Sequence, residues 1–235
     1  MKKNNFKIYI KLILDKLHLY KLLQRTILLN LRSSKQSSDF SKNGFRVFEL
    51  VVKNINASNL EIWPTFGSLL GLVRNKKLLD YDNDLDFGCF FDPNKQKDLR
   101  KKLKCLGFKR VFSGYVDDSC VLDKFIFEKV ETDFYYFFKE KDYIYSYDFE
   151  QDGFVSVQEN IDIGKKIIPY KNEYSNFNLK IIELEKISFN IPNPINTHLI
   201  DLYGENYNIP DKNWHNNKRK NRHPIIDAKV IFENL

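Results

Sequence analysis

Hydrophobic and polar positions change rhythm several times along the chain, and each change marks an element. Between Phe6 and Leu31, Leu and Ile recur at helical spacing, interrupted by Lys7, Lys11, Asp15, Lys16, Lys21 and Arg25. This pattern predicts a basic amphipathic helix, because a spanning helix would bury those charges in lipid. A secretory leader fits poorly, since it needs an uninterrupted apolar stretch and a small-residue cleavage site. Such a helix either lies on a membrane surface or packs on the folded domain, and the sequence leaves both open. LRSSKQSSDFSKN, from Leu31 to Asn43, is polar and reads as a linker.

Apolar residues at Phe45, Val47, Phe48, Val51 and Val52 predict the first helix of the folded unit, followed by a short strand over Ile62 to Phe66. Leu69, Leu70, Leu72 and Val73 in SLLGLVR fit one buried helix face, with Arg74 near its end. YDNDLDFGCFF then alternates polar and apolar residues as a strand does, and Pro93 opens a charged helix that Gly107 stops. Strands follow at Lys109–Phe112, Val121–Val130, Thr132–Lys139 and Tyr143–Phe149, with more around Phe154–Gln158 and Lys180–Phe189. INTHLIDLYG reads as a last helix closed by Gly204. These elements predict an α+β fold, a mixed sheet flanked by helices. They divide the chain into an N-terminal helix and linker (1–43), a catalytic domain (44–210) and a basic tail (211–235).

Composition narrows the function. With 235 residues and 43% hydrophobic content the chain can bury a full core. Its net charge of +7 favours anionic partners without choosing among nucleotides, phosphorylated glycans, nucleic acid and membrane. Cys89, Cys105 and Cys120 lack the close pairing of a zinc or redox motif and read as reduced thiols, consistent with a cytoplasmic protein. His18, His198, His215 and His223 accompany no nucleophile-elbow motif, so a catalytic triad is unsupported. Asn56-Ala57-Ser58 matches a glycosylation sequon by chance in this reading.

The chemistry concentrates in Asp82, Asp84 and Asp86. Alternate strand positions point the same way, and crowded carboxylates call for a hard divalent cation such as magnesium, with manganese as its substitute. A bare Asp-x-Asp pattern is more often the wet face of a sheet; here context changes the weighting. Gly67 and Ser68 open a helix just upstream, which suits a phosphate cradle, although Ser68 also suits a plain helix cap. In ETDFYYFF, Thr132, Phe134, Tyr136 and Phe138 can face the core and leave Asp133 on the other side as a third acid. Arg74 suits either phosphate contact or an ion pair with one of the carboxylates. The tail KNWHNNKRKNRHP carries Lys212, Lys218, Arg219, Lys220 and Arg222; a solvated terminus is the simpler reading, closure over an anionic ligand the sharper one.

FGSLLGLVRNKKLLDYDNDLDFG, with Asp133-Phe134 and the later FNIPNP and LIDLYGENYNIP, resembles the LicD phosphocholine transferases and the fukutin family of ribitol-phosphate transferases. Tyr81 and Asn83 depart from many bacterial members, without touching Asp84 or Asp86. The resemblance implies a nucleotidyltransferase-like fold, and a metal held by Asp84, Asp86 and Asp133, with Asp133 as ligand or base. It also implies substrate contacts from Gly67, Ser68 and Arg74. The implied reaction moves a phosphoalcohol from a CDP-activated donor, such as CDP-choline or a CDP-polyol, to a sugar hydroxyl of a glycan, releasing CMP. A lipid-linked acceptor would place residues 6–31 at the cytoplasmic face of a membrane, and nucleic acid would not be a partner. Two rival readings are a nucleotidyltransferase that consumes a nucleoside triphosphate and a non-enzymatic basic binding protein.

Overall fold

A computed structural model describes residues 36–55, 60–149, 167–211 and 214–235. The expected helix at 6–31, the strand at Phe154–Gln158 and the sequon at Asn56 lie outside these residues. The architecture is α+β, and no helix among the described residues is long and apolar enough to cross a membrane.

Helix α1 covers residues 36–55, so the stretch expected as a linker up to Asn43 is helical from residue 36. Phe40, Val47, Phe48, Val51, Val52 and Ile55 are buried, at the three- and four-residue spacing that puts them on one stripe. The polar residues around Phe40 conceal the first turns of this stripe. The helix is tied to a distant turn, because Asn43 donates to the Glu128 carbonyl and Arg46 pairs with the Glu128 carboxylate.

Strand β1 (Ile62–Pro64) leads into α2 (Phe66–Asn75), then β2 (Asp84–Phe90) and α3 (Pro93–Cys105). The N-cap Asp92 accepts from the amides of Asn94 and Lys95, and Pro93 follows it at the first helical position. Strands β3 (Lys109–Val116), β4 (Ser119–Phe127), β5 (Val130–Lys139), β6 (Tyr143–Phe149) and β7 (Pro169–Ser175) form an antiparallel run. Strand β2 runs parallel to β5 and pairs on its other side with β1. A separate hairpin, β8 (Asn178–Leu184) and β9 (Ile187–Asn193), precedes α4 (Ile195–Tyr203). The final residues, expected as a solvated tail, instead add β10 (Arg222–Pro224) to β7 and β11 (Val230–Asn234) to β3 in the main sheet.

Strand alternation gives the sheet two chemically different faces. Leu85, Phe87, Phe125, Phe134 and Asp123 point to one, where Phe48 of α1 stacks on Phe87 and Arg100 of α3 reaches Asp123. Asp84, Asp86 and Asp133 point to the other. On that second face Trp63 packs against Phe90, Phe137 and Phe177. Gly88 makes room for the indole, since a Cβ there would come within 2.5 Å of its ring.

Three hairpins turn on residue pairs with both φ angles positive: Asp117-Asp118, Glu128-Lys129 and Glu185-Lys186. This is the pattern of type I′ turns, which Asn-Gly fills with less strain than Glu-Lys. Replacing Glu185-Lys186 by Asn-Gly should therefore stabilise the chain by about 1 kcal/mol, read from the urea midpoint at unchanged slope.

His198 sits buried on α4 against the rings of Tyr174 and Phe177, and neither ring nitrogen has a hydrogen-bond partner among the described residues. Burial, reinforced by the positive charge of Arg219, holds its pKa down at about 3. The unfolded chain then binds a proton near pH 6.5 that the folded chain refuses, so stability falls as pH drops from 6.5 toward 3. His198→Phe should remove this component: between pH 6.5 and 5 the variant should lose about 2 kcal/mol less than the wild type in urea unfolding.

Candidate active site

The parallel pairing of β2 with β5 sets Asp86 directly beside Asp133. Asp84 shares the face of Asp86 two residues earlier, and one carboxylate oxygen from each of Asp84, Asp86 and Asp133 lies within 4.8 Å of the others. The structure thus brings together the three expected ligands. Asp82 precedes the strand, in the loop from α2, and its carboxylate rests against Gly67, where a Cβ would meet Oδ2 at 2.4 Å.

This grouping is costly for the chain alone. Asp86 is pushed far above the usual carboxylate range by burial, then by the negative charges of Asp84, Asp82 and Asp133. Asp84 and Asp133 are raised chiefly by burial, with Lys124 opposing the shift in both, and Asp82 is raised to about 7 by burial and by Asp84. Asp133 Oδ1 and Asp82 Oδ2 are buried without hydrogen-bond partners among the described residues. Convergent oxygens, orphaned lone pairs and excess negative charge fit a hard divalent cation.

Sequence reasoning missed Lys124. Its Nζ lies 3.1 Å from Asp133 Oδ2 and 2.9 Å from Glu131 Oε2, because the β4–β5 hairpin pairs Lys124 with Asp133. The signal was present in the register: a turn at Glu128-Lys129 puts Lys124, four residues before it, opposite Asp133, four residues after it. Glu-Lys simply does not read as a turn. Lys124 turns one oxygen of Asp133 toward itself and leaves the other for the cluster.

The Gly-Ser element acts differently from a phosphate cradle. Ser68 is fully buried and does not line the cavity; its hydroxyl accepts the amide of Asp86 at 2.9 Å, while the Thr65 amide donates to the Asp86 carbonyl at 2.9 Å. The expectation that Ser68 contacts substrate is corrected on this point. Its role is to clamp the Asp86 backbone from the junction of β1 and α2. Gly67 does face the cavity. Arg74 does not make the expected ion pair with a carboxylate: it donates through Nε to the Tyr207 carbonyl and through Nη2 to that of Ile209, fixing the segment after α4 as a cavity wall that Arg74 itself also lines.

That cavity measures about 930 Å³, within the range of sites for small molecules. Asp82, Asp84 and Asp86 line it together with Tyr135, Trp214 and Arg219. Phe66 opens α2 with φ of 44°, in the left-handed region that a bulky residue avoids, and its ring packs edge-on against Tyr135. Trp214 stands against Tyr203 with ring centroids 4.7 Å apart.

A mixed sheet that converges three carboxylates beside such a cavity has the form of a nucleotidyltransferase-type domain. Residues 59–194 match the LicD/FKTN/FKRP nucleotidyltransferase domain, and the chain belongs to that family. It is similar to the ribitol-5-phosphate transferases FKTN of Macaca fascicularis and Homo sapiens, each 25% identical over 177 residues. The FKTN of Mus musculus is 25% identical over 176 residues. Each alignment covers 74% of this chain and 35% of the relative, so the chain spans about a third of the length of these proteins.

Proposed function

We propose that this chain is a divalent-metal-dependent phosphotransferase that moves a phosphoalcohol from a CDP-activated donor to a sugar hydroxyl of a glycan, releasing CMP. The observation that carries the reading is the convergence of Asp84, Asp86 and Asp133 beside the cavity in a chain of this family. The relatives named as ribitol-5-phosphate transferases make a CDP-polyol the first donor to test, with CDP-choline second.

In this reading Asp84, Asp86 and Asp133 hold magnesium or manganese, which supplies neutralising charge for the donor's diphosphate. The chain's own groups do the rest. Lys124 fixes the orientation of Asp133, and the Ser68 and Thr65 contacts fix the backbone of Asp86, so the ligands are set before substrate arrives. The acceptor oxygen forms a bond to the phosphorus that carries the alcohol. The bond from that phosphorus to the bridging oxygen breaks, and CMP leaves with the electron pair. The hydroxyl proton passes to a carboxylate; Asp82 faces the cavity with an unpaired oxygen, whereas Asp133 is engaged by Lys124.

Product analysis tests the proposal. Incubation with magnesium, a glycan acceptor and CDP-ribitol or CDP-choline should yield CMP in step with modified glycan. Pyrophosphate released from a nucleoside triphosphate, with no CMP from either donor, would assign the chain to nucleotidyl transfer instead.

A further inference from the structure

Arg219 lies beyond residues 59–194, in the basic stretch that composition alone suggested was solvated. Its side chain is only 3% exposed, yet it lines the cavity that holds Asp82, Asp84 and Asp86. Nε and Nη1 have no hydrogen-bond partner among the described residues. The guanidinium carbon sits 4.9 Å from the centre of the Phe66 ring and 5.3 Å from that of Trp214, contacts that hold its position without using its N–H groups.

The nearby acid does not satisfy it. Asp148 Oδ2 is 3.8 Å from Arg219 Nη1, too long for a hydrogen bond. That carboxylate is already taken by Arg222, whose Nε reaches its two oxygens at 3.0 and 3.2 Å and whose Nη2 reaches Oδ1 at 2.9 Å. Two guanidiniums therefore share one carboxylate, and Arg219 is left without a carboxylate at hydrogen-bond distance. A buried guanidinium with idle donors is unfavourable unless an anion meets it, and its planar fork suits the oxygens of a phosphate. The stretch is held in place by β10 pairing with β7, so Arg219 is presented by the fold and not by a loose terminus.

We propose that Arg219 is a phosphate-binding residue of the cavity, its guanidinium N–H groups donating to the diphosphate of a nucleoside diphosphate donor. This inference rests on the phosphotransferase reading and adds to it a cation that the chain itself supplies, from outside the matched domain.

Isothermal titration of CDP, CMP and cytidine into the wild type, Arg219→Met and Arg219→Lys, with magnesium present, tests it. Arg219→Met should weaken CDP at least about 30-fold and leave cytidine unchanged, the loss expected for charge-assisted hydrogen bonds. Arg219→Lys keeps the buried charge and should weaken CDP by about 10-fold, which preserves the test if the Met variant does not fold. Unchanged CDP affinity in a folded variant, equal weakening of CDP and cytidine, or a wild type that binds CDP no better than cytidine would each overturn the assignment. ADP and UDP separate it from the wider reading. If they bind the wild type as tightly as CDP and still lose affinity in Arg219→Met, the cytidine donor fails and Arg219 stands.

Discussion

Replacing Asp86 by Asn should cut phosphoalcohol transfer by at least about 10³-fold while leaving the fold intact, the scale expected when a metal ligand worth several kcal/mol of transition-state stabilisation is lost. The two changes should run in opposite directions. Asp86 is buried beside Asp84, Asp82 and Asp133, and without a cation its ionised form opposes folding. Removing that charge should raise stability in EDTA at pH 7 by about 1 kcal/mol or more, each unit of pKa displacement being worth about 1.4 kcal/mol. Added magnesium should stabilise the wild type and not the variant. Activity lost together with stability would mean that Asp86 is structural; activity retained would remove the cluster from the chemistry. Calorimetry and CMP release on the same two samples read both quantities.

Asp123→Ala should have the largest effect on stability, a loss of about 3–5 kcal/mol, because it strands charge and hydroxyls that now satisfy one another. The Asp123 carboxylate is fully buried and takes Arg100 through Nε and Nη2 at 2.8 Å each, the Ser113 hydroxyl at 2.5 Å and the Tyr136 hydroxyl at 2.7 Å. It ties α3, β3 and β5 to β4 on the face away from the carboxylate cluster. Next to it in sequence, Lys124 faces the cluster, so a shift of β4 would carry that lysine away from Asp133. Chemical denaturation should show the loss at unchanged slope, and residual transfer at low temperature should fall far less than in Asp86→Asn.

Much of this arrangement is legible in the sequence, and what is not has identifiable physical reasons. The alternation of Asp84 and Asp86, and that of Thr132, Phe134 and Tyr136 around Asp133, are local patterns of period two that place the acids on one face. Their meeting depends on β2 pairing in parallel with β5, a contact across nearly fifty positions that no local pattern encodes. The family resemblance supplied it. Lys124 stayed hidden because its partner is fixed by a turn made of Glu128 and Lys129, residues that signal no turn. The same obstacle merged β8 and β9 across Glu185-Lys186.

Ser68 shows a different limit. Its place before a leucine-rich helix suggested a ligand contact or a cap, whereas its hydroxyl holds the amide of Asp86 from eighteen residues away. Arg219 was noticed as charge, not as a buried group, since composition cannot show that Arg222 has already taken Asp148. Helix α1 began earlier than its polar residues suggested for a related reason: one buried residue, Phe40, is enough to extend a stripe that the core completes.

If Asp84, Asp86 and Asp133 form a divalent-cation site that works with a nucleotide donor, the chain should bind one such ion with that donor present. Manganese titration followed by electron paramagnetic resonance, on metal-stripped protein with CDP present, tests it most directly. The expected result is one manganese bound per chain in the wild type, displaced by magnesium and weakened at least about 100-fold in Asp86→Asn. Binding of equal strength in the wild type and the variant, or no stoichiometric manganese in the wild type with CDP present, would contradict the account.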